Sequence, residues 1–246
     1  MENVMESVSE HPLELAAEND IVLGLLHGYR FSVCEGPEAA RQALDIRRRV
    51  YVEGVGYDVS VPDAYDAHSW FLLAEDEMSG RPVGSMRLTP RFAGPFELES
   101  YFTLPRALRS PKAVEINRFA ILPGYRKGKT FLPSVSLGLF KLALRFLQSM
   151  EARTLVIASK PERIWTYEWL CFRRAGLTAQ YGCLDRTEHE LLWLDMRRLV
   201  EVFAGHPFGA FFASIDDREV VLPRRLPPLG LGVDLDAEPF RLRESA

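Results

Sequence analysis

The sequence predicts an α/β chain of the α+β kind, a mixed sheet of six or seven strands flanked by helices. Three observations carry this expectation. In the stretch Val114 to Phe131, the β-formers Val114, Ile116, Phe119 and Ile121 are stopped by Pro123-Gly124, and a basic loop follows at once. Phe131 to Gln148 is then apolar on nearly every side, with Lys141, Arg145 and Gln148 at helical spacing as its polar stripe, which reads as a largely buried helix. Leu177 to Gly182 and Glu190 to Met196 read as a closing hairpin. With 246 residues, 47% of them hydrophobic, the chain can bury one sizeable core.

Taken in order, the elements support that plan. Residues 1–28 read as an N-terminal arm. Met1 to Asp20 is acidic and lacks a basic leader, and the apolar run Ile21 to Leu26 is halted by His27-Gly28, too short to cross a bilayer. The run suits an arm over the core, with contact to a membrane surface as the alternative. Tyr29 to Cys34 is a first strand, broken by Glu35-Gly36-Pro37. Ala39, Ala43, Leu44, Ile46, Val50 and Tyr51 recur at helical spacing from Glu38 to Glu53. Arg48 and Arg49 fit a solvated face, whereas Arg47 lies one turn before Tyr51 on the same face. Pro62-Asp63-Ala64-Tyr65-Asp66 then sets two carboxylates three apart in a loop. Strands follow at Trp70 to Glu75 and Pro82 to Leu88, joined by Met78-Ser79-Gly80. Beyond the central helix, Thr154 to Ala158 is a strand and Trp165 to Arg174 a buried helix carrying Cys171. From Arg197 the character changes: Val200 to Phe212 allows a helix broken at His206-Pro207, and Pro223, Pro227, Pro228, Gly230 and Gly232 forbid one afterwards. The expected organisation is therefore an arm (1–28), one main domain (29–196) and a C-terminal extension (197–246).

Several chemistries are excluded. A net charge of −4 gives no bulk affinity for polyanions, so no nucleic-acid partner is expected. Cys34, Cys171 and Cys183 are odd in number and lack CxxC spacing, which argues against a disulfide framework or a zinc site and fits the reducing cytoplasm. His11, His27, His68, His189 and His206 have no ligand spacing, so no metal is expected. There is no Gly-x-Ser-x-Gly elbow. Gly124 to Thr130 resembles a P-loop, but three residues rather than four separate its first Gly from Gly128-Lys129. The next strand, Leu155 to Ala158, also ends without an Asp to hold magnesium.

What remains is a strand, a basic loop and a helix, the arrangement that aims backbone N–H groups and a positive helix end at a phosphate-bearing cargo. Arg118, Pro123, Tyr125 and Arg126 here resemble the central strand and donor loop of the GNAT superfamily of N-acyltransferases. Where acetyl-CoA users continue with Gly-x-Gly or Gly-x-Ala, this chain has Lys129 and Phe131. Loss of the pyrophosphate cradle with its charge kept suits a donor with one phosphate, such as acyl carrier protein, over coenzyme A. The order Arg47, Tyr51, Tyr57, Asp63-Ala64-Tyr65-Asp66, Gly84-Ser85-Met86-Arg87-Leu88 and Glu115-Ile116-Asn117-Arg118-Phe119 resembles the acyl-homoserine-lactone synthases. It also resembles their relatives, the N-acyl amino acid synthases and the exosortase-associated (PEP-CTERM) acyltransferases. The resemblance spans about Tyr29 to Leu194. Tyr57 stands where the lactone synthases have Trp, and Tyr51 where they have Phe. His68 to Leu73 and Pro95 to Glu99 look more like the N-acyl amino acid and exosortase-associated branches.

The resemblance implies a GNAT-like, mostly antiparallel sheet and direct acyl transfer from an acyl-phosphopantetheine thioester to an amino-acid-like amine, with no bound cofactor. It places Arg47, Tyr51, Tyr57, Asp63, Asp66 and Arg87 around the acceptor cleft and Glu115 and Arg118 at the chemistry. Phe119, Ala120, Ile121, Arg126, Lys127 and Lys129 fall to the donor. Lys160 and Arg163, with Arg126, Lys127 and Lys129, could receive the acidic face of an acyl carrier protein. Glu115 suits a base for the incoming ammonium. On a regular strand, however, Glu115 and Arg118 point to opposite faces, and only a bulge would bring them together. The charged set reads equally as structural ion pairs. Trp165, Trp169, Trp193 and Phe172 offer bulk for an acyl tunnel or plain core. The competing readings are an acyl-homoserine-lactone synthase consuming S-adenosylmethionine, and a non-catalytic acyl-binding or regulatory module on the same fold.

Overall fold

The structure, a computed structural model, describes residues 24–126, 132–181, 186–215 and 218–230. Strands β1 (Tyr29–Val33), β2 (Trp70–Asp76), β3 (Arg81–Pro90), β4 (Ala113–Ile121), β5 (Thr154–Ser159), β6 (Arg173–Tyr181), β7 (Thr187–Asp195) and β8 (Val220–Val221) form one sheet in the order β6-β7-β5-β4-β3-β2-β1-β8. All neighbours are antiparallel except β4 with β5 and β1 with β8. Six or seven strands were expected from sequence. The eighth comes from the C-terminal extension, whose residues Val220 and Val221 lie beside Phe31 and Ser32.

Two helices cover opposite faces. Helix α1 (Pro37–Arg47) starts with Pro37 at its first turn after Gly36 and buries Ala40, Ala43, Leu44 and Ile46. Ala40, Ala43 and Leu44 pack against Phe71 and Leu73 of β2. Helix α2 (Ser134–Ser149) lies on the other face against Trp70, Leu72 and Ala74. Side chains of β2 thus alternate between two apolar layers, which is why its sequence Trp-Phe-Leu-Leu-Ala reads as a continuous apolar run. Helix α1 continues as a π-helical segment, Arg48–Val55, ended by Gly56 in the left-handed region at φ 83°. Arg48 and Arg49 are exposed and pair with Asp45 and Glu53, as a solvated face should.

Several expectations are corrected. Helix α3 (Ile164–Trp169) stops well short of Arg174, Cys171 turns the chain with φ 64°, and β6 begins at Arg173. Lys141, placed in the polar stripe of the central helix, is fully buried, with Nζ 4.4 Å from the Phe211 ring centroid. Trp165 is exposed, and Trp169 packs on His206 and Phe208. The extension forms two short helices, α4 (Leu199–Phe203) and α5 (Gly209–Ala213), and then returns over the sheet. The Trp70 Nε1–H donates to Pro227 O at 2.9 Å, and Gly230 N–H donates to Ser69 O at 2.9 Å. Most of the arm, Lys127, Lys129, Cys183 and the tail from residue 231 lie outside the described residues. Among the described residues no helix is long and apolar enough to cross a membrane.

Candidate active site

The sheet forks at its centre. Strands β4 and β5 pair only from Ala113–Thr154 to Glu115–Val156, after which β4 runs on to Ile121 and β5 to Ser159 without ladder partners for each other. Glu115 therefore sits at the vertex of an open wedge.

A bulge in β4 decides what faces that wedge. Between Arg87↔Asn117 and Ser85↔Ala120 the β4 side holds one residue too many, and Arg118 takes φ 52°. Before the bulge Val114 and Ile116 face α2, and after it Phe119 and Ile121 do. Asn117 and Arg118 consequently share the opposite face with Glu115.

On that face the charged residues singled out from the sequence converge. Arg47, from the end of α1, donates from Nη1 to Asp66 Oδ1 at 2.8 Å and from Nη2 to Oδ2. The Asp63 N–H also donates to Asp66 Oδ2, at 2.6 Å. Arg87 of β3 reaches three carboxylates: Nη1 donates to Asp63 and, at 2.9 Å, to Asp66, and Nη2 donates to Glu97 at 2.5 Å. Its Nε–H goes to Asn117 Oδ1 at 2.8 Å. Arg118 Nη2 pairs with Glu97 and lies 3.2 Å from Asp63 Oδ2. Glu115 accepts the backbone N–H groups of Glu97 at 2.7 Å and Leu98 at 3.1 Å.

Burial sets the charge states. Desolvation opposes ionisation of Asp66, but the two guanidinium groups of Arg47 and Arg87 outweigh it and hold the carboxyl well below its ordinary range. Glu115, 1% exposed, is raised to about 8, first by burial and then by the nearby Glu97 charge, against the opposing pull of Arg87 and the two N–H donors. An Arg87 guanidinium among Asp63, Asp66 and Glu97 is held more firmly protonated despite its own burial.

The aromatic residues border the cluster. Tyr51 Oη donates to Phe119 O at 2.9 Å, and its ring stands edge-on to Tyr57 at 5.9 Å. Tyr57 Oη accepts from Lys160 Nζ at 2.8 Å, so a side chain from beyond β5 bonds one from beyond α1. Of the residues expected at the donor, Ala120 is buried against Ile46 and Val50, and Ile121 O accepts from the exposed Arg126 at 2.8 Å. Arg163 is exposed in the turn after β5. Leu122 N–H donates to Val83 O on the β3 side at 2.9 Å, so strand alternation turns the N–H of Phe119 and Ile121 toward the wedge.

Glu97 and Asn117 are members of the cluster that sequence reasoning did not single out. Both stand in stretches that carry the family resemblance, but the nine residues between Arg87 and Glu97 hide their contact. Two surface depressions of about 240 and 340 Å³ lie elsewhere, one lined by Lys112, Glu151 and Arg153, the other by Arg41, Asp45 and Arg49. They contain none of the converging groups, and the buried charges mark the site better than those concavities do. Among the described residues no group of His, Cys, Asp and Glu is arranged to hold a metal ion.

Comparison with known proteins agrees with this geometry. FeeM, an N-acyl amino acid synthase from uncultured soil microbes, superposes with a TM-score of 0.60 and 17% identity over 74% of this chain and 98% of its own. BjaI, a CoA-dependent acyl-homoserine lactone synthase solved with SAM and isopentyl-CoA, gives 0.63 and 17% over 82% and 96%. LasI, an acyl-homoserine lactone synthase, gives 0.53 and 21% over 68% and 89%. These likenesses establish the GNAT-like, mostly antiparallel sheet expected from the motifs. No curated protein matches the sequence. Residues 42–195, which hold the whole charged cluster and both arms of the wedge, match the family described as N-acyl amino acid synthase FeeM, and the chain belongs to that family of N-acyltransferases.

Proposed function

We propose that this N-acyltransferase moves a fatty acyl group from an acyl-phosphopantetheine thioester to the amine of an amino-acid-like acceptor, giving an N-acyl amino acid. The observation that carries the reading is the wedge between β4 and β5, with Glu115 at its vertex and the charged cluster on its wall. The acceptor amine arrives mostly as ammonium and must lose a proton before its nitrogen can attack the thioester carbonyl. Glu115, directly or through one water, is our choice for that base. The carbon–nitrogen bond forms and the carbon–sulfur bond breaks, the nitrogen's second proton passes to the departing sulfur, and the thiol leaves on its carrier. Backbone N–H groups at Phe119 and Ile121 suit the carbonyl oxygen as it gains charge. Arg118 holds the bulge that supplies them. Arg47, Asp63, Asp66 and Arg87 fix the acceptor wall, with Tyr51 and Tyr57 along its edge.

On the donor side Arg126, Lys127, Lys129, Lys160 and Arg163 suit the acidic face of an acyl carrier protein, with acyl-CoA as the competing donor. Such complementarity sets encounter and orientation more than affinity. A cytoplasmic site of action fits both donors. Family membership favours this enzyme over a non-catalytic binding module. The test is to incubate the protein with long-chain acyl carrier protein or acyl-CoA, a pool of amino acids and S-adenosylmethionine, and to search for N-acyl products by mass spectrometry. N-acyl amino acids are expected, formed faster from the carrier protein. A lactone would transfer the assignment to the lactone-synthase chemistry, and no product from either donor would overturn it. Glu115→Gln should lose product while keeping donor binding, and unchanged turnover would remove Glu115 as the base.

A further inference from the structure

We propose that Glu97, in the turn between β3 and β4, is a positioning residue for the acyl transfer, locking the Arg118 bulge and the Glu115 carboxylate against each other. The proposal rests on the reading of Glu115 as the base. Three neighbours on two strands meet this one side chain. Its Oε1 accepts from Arg118 Nη2, and its Oε2 accepts from Arg87 Nη2 at 2.5 Å and from Asn117 Nδ2 at 3.0 Å. Its backbone N–H meanwhile donates to Glu115 Oε2 at 2.7 Å. The residue is 5% exposed, so these bonds are made out of water.

Two consequences follow from that placement. Arg118 is a non-glycine residue at φ 52°, a conformation that persists only when its surroundings impose it, and Glu97 with Asp63 supplies the anchors. Glu97 also sets one carboxylate beside another. Two guanidinium groups and an amide meet the Glu97 side chain, whereas Glu115 has two backbone N–H donors, so burial first and the Glu97 charge second raise the Glu115 carboxyl. The other groups facing this pair are Arg87 on β3, Asn117 and Arg118 on β4, Asp63 and Asp66 in the preceding loop, Tyr51 from the π-helical segment and Tyr181 on β6. Among them Glu97 bonds to Arg87, Asn117 and Arg118 by side chain and to Glu115 by backbone.

The experiment compares the full chain with its Glu97→Gln variant. The Glu115 carboxyl titration is followed by carbon NMR, its resonance identified by its loss in Glu115→Gln, and kcat/KM for N-acyl product is measured against pH. In the parent the Glu115 midpoint should lie well above the ordinary carboxylate range. In Glu97→Gln it should fall by about one pH unit or more, a tenfold change in acidity. The acid limb of kcat/KM should shift with it, and kcat should drop about tenfold or more. A midpoint and pH profile identical to the parent's, in a folded variant, would overturn the proposal. Should Glu97→Gln fail to fold, Glu97→Asp, which keeps the charge but withdraws it from Arg118, takes its place: kcat should still fall about tenfold while the Glu115 midpoint stays raised, and an unchanged kcat would overturn the proposal. Absence of any product from the parent would count against the proposed function, while the NMR midpoints would still settle the coupling of Glu97 to Glu115.

Discussion

Glu115 and Asp66 are both buried carboxylates near arginines, yet their environments drive them in opposite directions. Asp66 receives two Arg47 bonds, one from Arg87 and the Asp63 N–H, so its ionised form is secured. Glu115 is desolvated by its burial and faces the Glu97 charge, and Arg87 with two backbone N–H donors does not offset them, so its neutral form is favoured. The signs for stability follow. Glu115 is ionised in the unfolded chain above its ordinary 4.5 but keeps its proton when folded up to about 8, so stability falls as pH rises through that window. Urea unfolding of Glu115→Gln should remove up to about 1.4 kcal/mol per pH unit of that fall; equal slopes in parent and variant would contradict the raised carboxyl. Asp66 works the other way, contributing stability above its ordinary 3.8 that is lost as pH falls below it. Arg47→Met leaves Asp66 with two of its four hydrogen bonds and an intact burial. Denaturant titration should show a loss of about 3–5 kcal/mol, the usual effect of breaking a buried ion pair from one side.

At the scale of elements, the strands and the central helix were legible because each keeps its periodicity. Trp70 to Glu75, Thr154 to Ala158 and the split helix after Val200 all occur where hydrophobic spacing and Pro or Gly punctuation put them. The sequence raised the bulge only as a condition for bringing Arg118 to the side of Glu115, and the register across β3 and β4 supplies it at Asn117-Arg118, where the apolar positions step from Ile116 to Phe119. Helix α3 was overextended because Trp, Leu, Cys and Phe at 169–172 fit a buried helix or a turn into an edge strand equally well. Close packing of elements rests on small residues that pattern alone does not rank. A Cβ on Gly138 of α2 would lie 2.1–2.4 Å from ring carbons of Phe31 on β1. Gly138→Ala should therefore destabilise the chain by about 1–3 kcal/mol through overpacking, read as a lowered thermal midpoint, and an unchanged midpoint would show that α2 can move off the sheet.

Over the whole molecule, the described part of the C-terminal extension, up to residue 230, closes the core. Phe203, Phe211, Phe212 and Val220 share one apolar cluster with Trp70, Leu26 and the inner face of α2. The sequence left open whether the extension packs back, and Lys141 shows the reason: it stands in the polar stripe of α2 with Arg145 and Gln148, and the ring that covers it, Phe211, comes from seventy residues on. Truncation after Arg198 should expose Trp70 and the face of α2, with increased binding of a hydrophobic dye and loss of the cooperative unfolding transition. A truncated chain that unfolds like the parent would show the extension to be dispensable.

The sequence by itself determined the order and type of the main elements, the central strand–loop–helix unit and the charged residues worth watching, because local periodicity, turn chemistry and motif order are properties of neighbouring residues. Only the tertiary structure decided that Arg118 turns to the side of Glu115, that Glu97 stands between them, and that Lys141 is covered. Those outcomes depend on register across β3 and β4 and on segments far apart in the chain. A one-residue change of register reverses the face of every side chain that follows, and no local pattern fixes which distant segment will meet it.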